Sequence, residues 1–376
     1  MDKKINKRHR VVIAMSGGVD SSVAAYLLKK QGYDVIGIFL KFWQPPEDSC
    51  GVKKENSCCN LESLSMARQI AEIIDIPFYV IHVEDQFKKD IVDYFIKEYE
   101  GGRTPNPCVS CNKAIKFGFL WKKAKELGAD YLATGHYIKT KRRKKDISDK
   151  QKNIQYPISN ISIYRPKDKI KDQTYFLSHI TKNILPHLLF PLADLEKKEV
   201  RAIAKKAKLP VFSKKDSQGV CFIPDGDNSR FLLQNSKKLN KPGDIVDKEG
   251  NKLGKHKGLV FYTVGQKIGS DLAAAQYMKR KYPISNIQYP TNTQSSIPKE
   301  IQRLYVISIN VKKNQLIIGE DKDCFSDLLV AQNLHVLNDG IFRLAKENKD
   351  IYAQIRGGHK AEKCTIKIKN DDTRIK

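Results

Sequence analysis

The sequence predicts an α/β protein built on a parallel sheet, followed by two smaller β-rich modules. Three observations lead there. Apolar β-branched runs alternate with helical periodicity through the first half of the chain. A Gly-Ser turn stands between the first strand and the first helix, and near Ser213 the texture changes to short segments cut by Gly and Pro. Alternation at this interval requires crossover helices and a sheet covered on both faces.

The elements follow in order. Val11–Met15 is a short apolar strand, and Val23–Lys30 has helical spacing that stops at Gly32. Val35–Leu40 is again apolar and β-branched, Leu61–Ile74 a helix, Phe78–Val83 a strand and Gln86–Tyr99 an amphipathic helix. Phe117–Leu127 is a helix stopped by Gly128, and Tyr131–Thr134 is a strand. Beyond Ser213 come KPGDIVD, EGNKLGKHKG and LVFYTVGQ, then LYVISINV and QLIIGE, and lastly TIKIKNDDTRIK as strand–turn–strand. A small barrel ending there would lack closing strands. NIQYPISNI at Asn153–Ile161 returns in permuted form at Tyr282–Pro290. Two isolated copies indicate inserted loop sequence, since a solenoid needs adjacent repeats. The basic run Lys139–Lys145 reads first as a solvated loop and second as an RNA contact.

At ~100–200 residues per domain, 376 residues predict two or three domains. With 40% hydrophobic residues there is material for packed cores, which excludes a wholly disordered chain. No stretch approaches the ~18 apolar residues of a membrane span, and the basic start lacks the apolar core of a signal peptide. Lys and Arg number 68 against 42 Asp and Glu, a surplus of +26 that favours a polyanionic partner, nucleic acid first. A Lys-rich proteome is the bland alternative. The eight cysteines are too few for a disulfide scaffold and read as cytosolic thiols, so the expected location is cytoplasmic. Cys50, Cys58 and Cys59 cluster, Cys108 and Cys111 form a CxxC, and Cys221, Cys324 and Cys364 are isolated.

Three segments carry chemistry. In Ser16-Gly17-Gly18-Val19-Asp20-Ser21-Ser22, glycines let backbone amides approach phosphate oxygens, the serine hydroxyls add donors, and the next helix adds partial positive charge. Asp20 would hold Mg²⁺ or orient the loop. Neither a Walker A lysine nor a GxGxxG is present. In Arg103-Thr104-Pro105-Asn106-Pro107-Cys108-Val109-Ser110-Cys111-Asn112-Lys113, two prolines preset an extended approach. Cys111 opens a helical segment beside Lys113 and Lys116, which would lower a thiol pKa. Alone, CxxC leaves a redox pair, half a zinc site and chance all open. In Lys214-Lys215-Asp216-Ser217-Gln218-Gly219-Val220-Cys221-Phe222, the Lys and Gly neighbours favour a reactive loop over inert core.

The first segment resembles the PP-loop of ATP pyrophosphatases. SGGVDSSVAAYLL, GRTPNPC..CN..IKF, LGADYLATGHY, KDQTYFL, FPL.DLEK.EVR, KKDSQGVCFI and KPGDIVD…YTVGQ together resemble the tRNA-specific 2-thiouridylase family. The resemblance implies three domains: a PP-loop ATP-binding domain over 1–212, a central domain over 213–300 and a C-terminal β-barrel over 301–376. It implies that Ala14, Met15, Ser16, Gly17, Gly18, Val19, Asp20 and Ser21 cradle ATP, with Leu40 and Gly135 beside the adenosine. Asn106, Pro107 and Cys108 would border the target uridine. His136, Lys171, Asp172, Gln173 and Arg356 would touch tRNA. Cys221 would carry a persulfide received from an upstream sulfur donor, with Cys111 as its catalytic partner and a disulfide between them as the resolved state. ATP would adenylate the C2 oxygen of the wobble uridine before sulfur attacks. Two departures stand out: some family members have Asp in place of Cys108, and Gly357 follows Arg356 where the family has Tyr.

Persulfide chemistry is the preferred reading of Cys108, Cys111 and Cys221, and ligation of an iron–sulfur cluster is the alternative. A three-cysteine zinc site would tie up the thiolates that sulfur transfer needs. Two other functions are weighed against sulfur transfer: a PP-loop synthetase adenylating a small molecule, which would not need Cys111 and Cys221, and an inactive RNA-binding relic.

Overall fold

A computed structural model describes residues 9–45, 60–142, 161–214, 216, 219–236, 238, 240–268, 304–331, 335–337, 340–347, 349–369 and 372–375. Cys50, Cys58, Cys59, Ser217, Gln218 and nearly all of both repeat copies lie outside the described residues. The chain forms two compact units, Met1–Ile91 with Pro107–Pro224 and Val330–Lys376, and Val92–Asn106 with Asp225–Leu329.

The first unit is organised by a five-stranded parallel sheet. Its opening elements are β1 (Arg10–Ala14), α1 (Val19–Lys30), β2 (Asp34–Lys41), α2 (Leu61–Ile73) and β3 (Phe78–His82). Next come α3 (Glu84–Phe87) and a π turn (Lys88–Val92); α4 (Asp93–Glu100), which belongs to the second unit, completes the expected Gln86–Tyr99 helix. Then follow α5 (Pro107–Cys111), a π-helical stretch (Asn112–Phe119), α6 (Leu120–Glu126), β4 (Tyr131–Ala133), β5 (Lys139–Arg142), β6 (Ile161–Tyr164), β7 (Leu188–Leu189) and α7 (Lys197–Lys206). Strand order is β3-β2-β1-β4-β7, and every pairing is parallel. Val11, Val12 and Ile13 of β1 are wholly buried because neighbours cover both edges and helices both faces. The order reverses between β1 and β4, and ligands of such sheets bind outside the strand ends at that switch point.

Helix α1 begins four residues before its periodicity predicts. Asp20 favours the first turn by its charge, and the Ser21 and Ser22 hydroxyls donate back to the Gly18 carbonyl at 3.2 and 2.7 Å. The helix expected from Phe117 likewise starts earlier, at Pro107, whose missing N–H costs nothing in a first turn. The expected loop at Lys139–Lys145 is a strand as far as Arg142, where β5 pairs antiparallel with β6.

In the second unit, α8 (Asn228–Asn235) precedes β8 (Gly243–Val246), β9 (Lys252–His256), β10 (Lys267–Ile268), β11 (Leu304–Asn310) and β12 (Gln315–Glu320). These strands form one sheet in the order β10-β11-β12-β8-β9, whose core is Ile245, Leu253, Ile268, Leu304, Val306, Leu316 and Ile318. The sheet therefore crosses residue 300, where texture alone puts a domain boundary: alternate residues of β11 and β12 face the core that β8 and β9 also face.

The C-terminal part of the first unit is β-rich. Strands β13 (Leu329–Ala331), β16 (Ile366–Lys369) and β17 (Asp372–Ile375) make one sheet, while β14 (Ile351–Ala353) pairs with β15 (Glu362–Cys364). The last two strands form the predicted antiparallel hairpin. Among the described residues no helix is long and apolar enough to cross a membrane.

Candidate active site

A cavity of about 450 Å³ opens at the switch point, and several segments of the first unit wall it. The first wall is the β1–α1 loop, contributing Ala14, Met15, Ser16, Asp20 and Ser21. Met15 N–H donates to the Ile38 carbonyl at 2.8 Å, so the loop leaves the sheet only at Ser16. Gly17 takes φ +67°, and a Cβ there would lie 2.2 Å from the Ser63 carbonyl oxygen. Only glycine fits this turn. Gly18 caps α1 without a side-chain hydrogen bond, so no capping side chain stands between the helix end and the loop. Ser21 Oγ accepts from Ser16 N–H at 3.2 Å. Ser22, Gly17, Gly18 and Val19 support this wall from behind and do not line it.

Asp20 is held by protein groups. Tyr137 O–H donates to its Oδ1 at 2.8 Å, and Lys197 Nζ lies 2.7 Å from both carboxylate oxygens. These bonds tie the first turn of α1 to Tyr137 and to Lys197. Burial first, and then the charge of Asp20, raises the Tyr137 pKa, so the phenol remains a donor.

The second wall is the end of β4, with Thr134, Gly135 and His136. A Cβ on Gly135 would stand 2.6 Å from Ser21 N, so β4 leaves the sheet directly against the first turn of α1. His136 is only 9% exposed, and its Nδ1 lies 2.8 Å from Thr134 Oγ1. Burial, with the nearby Lys116 charge, holds its pKa well below 6.5, and the ring is neutral at pH 7. His136 thus belongs to the cavity wall and not to open surface. The apolar residues Ile38, Phe39, Leu40 and Phe42 of β2 and its exit add a flat side to the cavity.

Pro107, Cys108, Cys111, Asn112 and Lys116 make the third wall. Cys108 is exposed and Cys111 is 7% exposed. Asn112 donates from Nδ2 to the Phe176 carbonyl at 3.0 Å, which ties this wall to Phe176, another lining residue. Asn106 precedes Pro107 in the chain and is part of the second unit. The fourth wall is Gly219, Val220, Cys221 and Phe222. Cys221 is half-buried in a turn, and Phe222 is wholly buried. Phe222 meets Phe87 edge-on at 5.8 Å, and Phe87 stacks on Phe42 at 4.7 Å. This aromatic row anchors the cysteine's neighbour in the core while the thiol stays at the cavity.

The fold therefore brings Cys108, Cys111 and Cys221 to one cavity with the Ser16–Ser21 loop. Among the described residues no group of three His, Cys, Asp or Glu is placed to hold a metal ion, so the three thiols do not fit a cluster as they stand.

The expected tRNA contacts are dispersed. Lys171 Nζ is 2.8 Å from Asp216 Oδ2, and Asp172 accepts from Thr174 N–H and O–H at 2.9 and 2.7 Å. Gln173 lines the cavity; its Oε1 accepts from Tyr137 N–H at 2.9 Å while its own N–H donates to the Tyr137 carbonyl at 3.1 Å. Arg356 is exposed. Its neighbour Gly357 packs on Tyr175 and Phe176, and Tyr175 O–H donates to the Ile355 carbonyl at 3.2 Å. Sequence reasoning missed Lys197, Tyr137 and Asp216 as a unit. Lys197 stands in the quoted DLEK run, yet nothing local marks its partners.

The fold and cavity define a nucleotide-binding α/β protein of the HUP class. A family model described as the tRNA methyl transferase HUP domain matches residues 9–225, and one described as the tRNA methyl transferase PRC-barrel domain matches 229–293. The tRNA-specific 2-thiouridylase MnmA of Clostridium acetobutylicum is 41% identical over 363 residues, covering 96% of this chain and 90% of that one. The Lachnoclostridium phytofermentans MnmA is 37% identical over 97% of this chain and 90% of its own length. The chain belongs to the tRNA-specific 2-thiouridylase family. A solved 4-thiouridine synthetase–RNA complex with bound ATP is 17% identical at a TM-score of 0.32, over 60% of this chain and 50% of that one, too slight a likeness to argue from.

Proposed function

We propose that the protein is a cytoplasmic ATP-dependent sulfurtransferase that converts the wobble uridine (position 34) of tRNA to 2-thiouridine. The observation that carries this reading is one cavity lined by both the Ser16–Ser21 loop and the three cysteines. The β1–α1 loop and helix end would hold the triphosphate, with Leu40 and Gly135 at the adenosine. Mg²⁺ would arrive with the nucleotide phosphates. Asn106, Pro107 and Cys108 would border the base. Lys171, Asp172, Gln173, His136 and Arg356 would touch the tRNA, Gln173 and His136 from the cavity wall.

The uridine C2 oxygen attacks the α-phosphorus, and pyrophosphate leaves. An oxygen that would depart poorly becomes part of AMP, so activation precedes attack. The terminal sulfur of a Cys221 persulfide, loaded by an upstream donor, attacks C2 and AMP leaves. The Cys111 thiolate then attacks the Cys221 sulfur, the S–S bond to the transferred atom breaks, and sulfur stays on C2. A Cys111–Cys221 disulfide results, and a thiol reductant restores it.

The test is incubation of pure protein with tRNA, ATP and a persulfide donor, with 2-thiouridine read by mass spectrometry after nuclease digestion. Wild type should form it, C111A and C221A should not, and C108A should retain a reduced rate. Product formation by C111A and C221A at the wild-type rate would overturn the reading. Stoichiometric iron after anaerobic purification, lost with activity in C108A, would replace the persulfide route by a cluster.

A further inference from the structure

One ammonium joins the nucleotide loop to the segment that leads to the sulfur-bearing cysteine. Lys197 sits in the first turn of α7, which a reciprocal Glu196–Glu199 capping box fixes. Its side chain is 12% exposed. From there Nζ reaches both oxygens of Asp20 at 2.7 Å and Asp216 Oδ1 at 2.9 Å. Asp20 belongs to the first turn of α1, directly after the phosphate-facing loop. Asp216 precedes Cys221 by five positions in the sequence and is also bonded by Lys171 at 2.8 Å and Arg201 at 3.1 Å. Without Lys197, Asp216 keeps two cations, and among the described residues Asp20 keeps only the Tyr137 hydroxyl. Lys197 is thus the group both carboxylates share.

An ordinary stabilising pair would need one carboxylate. Here the ammonium spans the two segments that must act in sequence, one for adenylation and one for sulfur transfer. We propose that Lys197 is a positioning residue that couples the two half-reactions, holding Asp216, five positions before Cys221, beside Asp20 so that sulfur reaches C2 before water does. The inference rests on the sulfurtransferase reading. When the clasp is loosened, water attacks the adenylated uridine instead, and ATP and water become AMP and pyrophosphate with uridine regenerated.

The experiment measures AMP and 2-thiouridine in the same reaction, with persulfide-loaded full-length protein and tRNA. Wild type should give close to one 2-thiouridine per AMP. In D216N, which keeps the shape and leaves the Asp20–Lys197 pair intact, AMP formation should stay within about twofold while the ratio falls roughly tenfold or more, since an ångström of misplacement is costly in rate. K197M should lower the ratio as strongly, and K197R, which can still bridge two carboxylates, should recover much of it. A purely structural role predicts that AMP and 2-thiouridine fall together at constant ratio, and that result in D216N would overturn the proposal even if K197M fails to fold. Absence of 2-thiouridine from the wild-type reaction would instead refute the sulfurtransferase reading itself.

Discussion

His136 shows how burial sets chemistry one residue at a time. Enclosed by the cavity wall and near Lys116, it stays neutral, so it offers Thr134 and any ligand a ring without charge. Its folded pKa lies below the unfolded value of ~6.5, so below that pH the unfolded chain binds more protons than the native one. The stability contributed is therefore complete above about pH 6.5 and is lost as pH falls. We expect H136Q, whose amide can still meet Thr134, to lower the pH slope of unfolding by up to about 1.4 kcal/mol per pH unit over roughly pH 6.5 to 5. His179 and His256, also depressed by burial, would leave a residual slope. Denaturant melts across that range decide it: superimposable slopes for the two proteins would refute the assignment. Asp216 behaves in the same sense at lower pH. Burial alone would raise its pKa, but the hydrogen bonds and charges of Lys171 and Lys197 bring it down to about 2. Asp216 therefore keeps its charge in the clasp well below the ordinary carboxylate range.

At the scale of elements, the site depends on how closely α1 approaches its neighbours. Gly17 faces the Ser63 carbonyl near the start of α2, and Gly135 faces the Ser21 amide in the first turn of α1. Both contacts involve backbone, which cannot rotate away. G17A and G135A should each cost roughly 1–3 kcal/mol and remove ATP binding, as read by chemical melts and by nucleotide titration. Normal ATP affinity in G17A would show that the loop can shift and that the close approach is incidental. Much of this frame was legible in the sequence: β1 and β2 are apolar runs that fit a covered parallel sheet, and the GG turn sits where such a sheet binds ligands. Strand β7 was not, because Leu188 and Leu189 are two residues among prolines and carry no period. The π-helical Asn112–Phe119 was hidden too, since its apolar residues also satisfy α spacing. The meeting of Asp20, Lys197 and Asp216 was illegible for a different reason. Periodicity reports which face a residue takes, and says nothing of which distant charges share it.

Across the whole molecule, the surplus of +26 is larger than its internal partners absorb, and several basic side chains remain for a polyanion. Others are spent inside: Lys171 and Arg201 hold Asp216, and Lys167 holds both oxygens of Glu199 at 2.9 and 2.8 Å. This division makes the salt dependence of tRNA binding informative residue by residue. Each phosphate neutralised by a free cation releases counterion, so log affinity should fall linearly with log salt. From about 50 to 200 mM salt we expect at least a hundredfold loss in affinity, measured by filter binding or anisotropy with unmodified tRNA. Arg356 is exposed, so R356A should reduce the slope by about one unit. Lys167 is already paired, and K167A should weaken binding little and leave the slope unchanged. A flat salt response in the wild type would mean that the basic surplus is compositional and that tRNA is held by the cavity alone. Equal slopes for R356A and wild type would remove Arg356 from the tRNA surface.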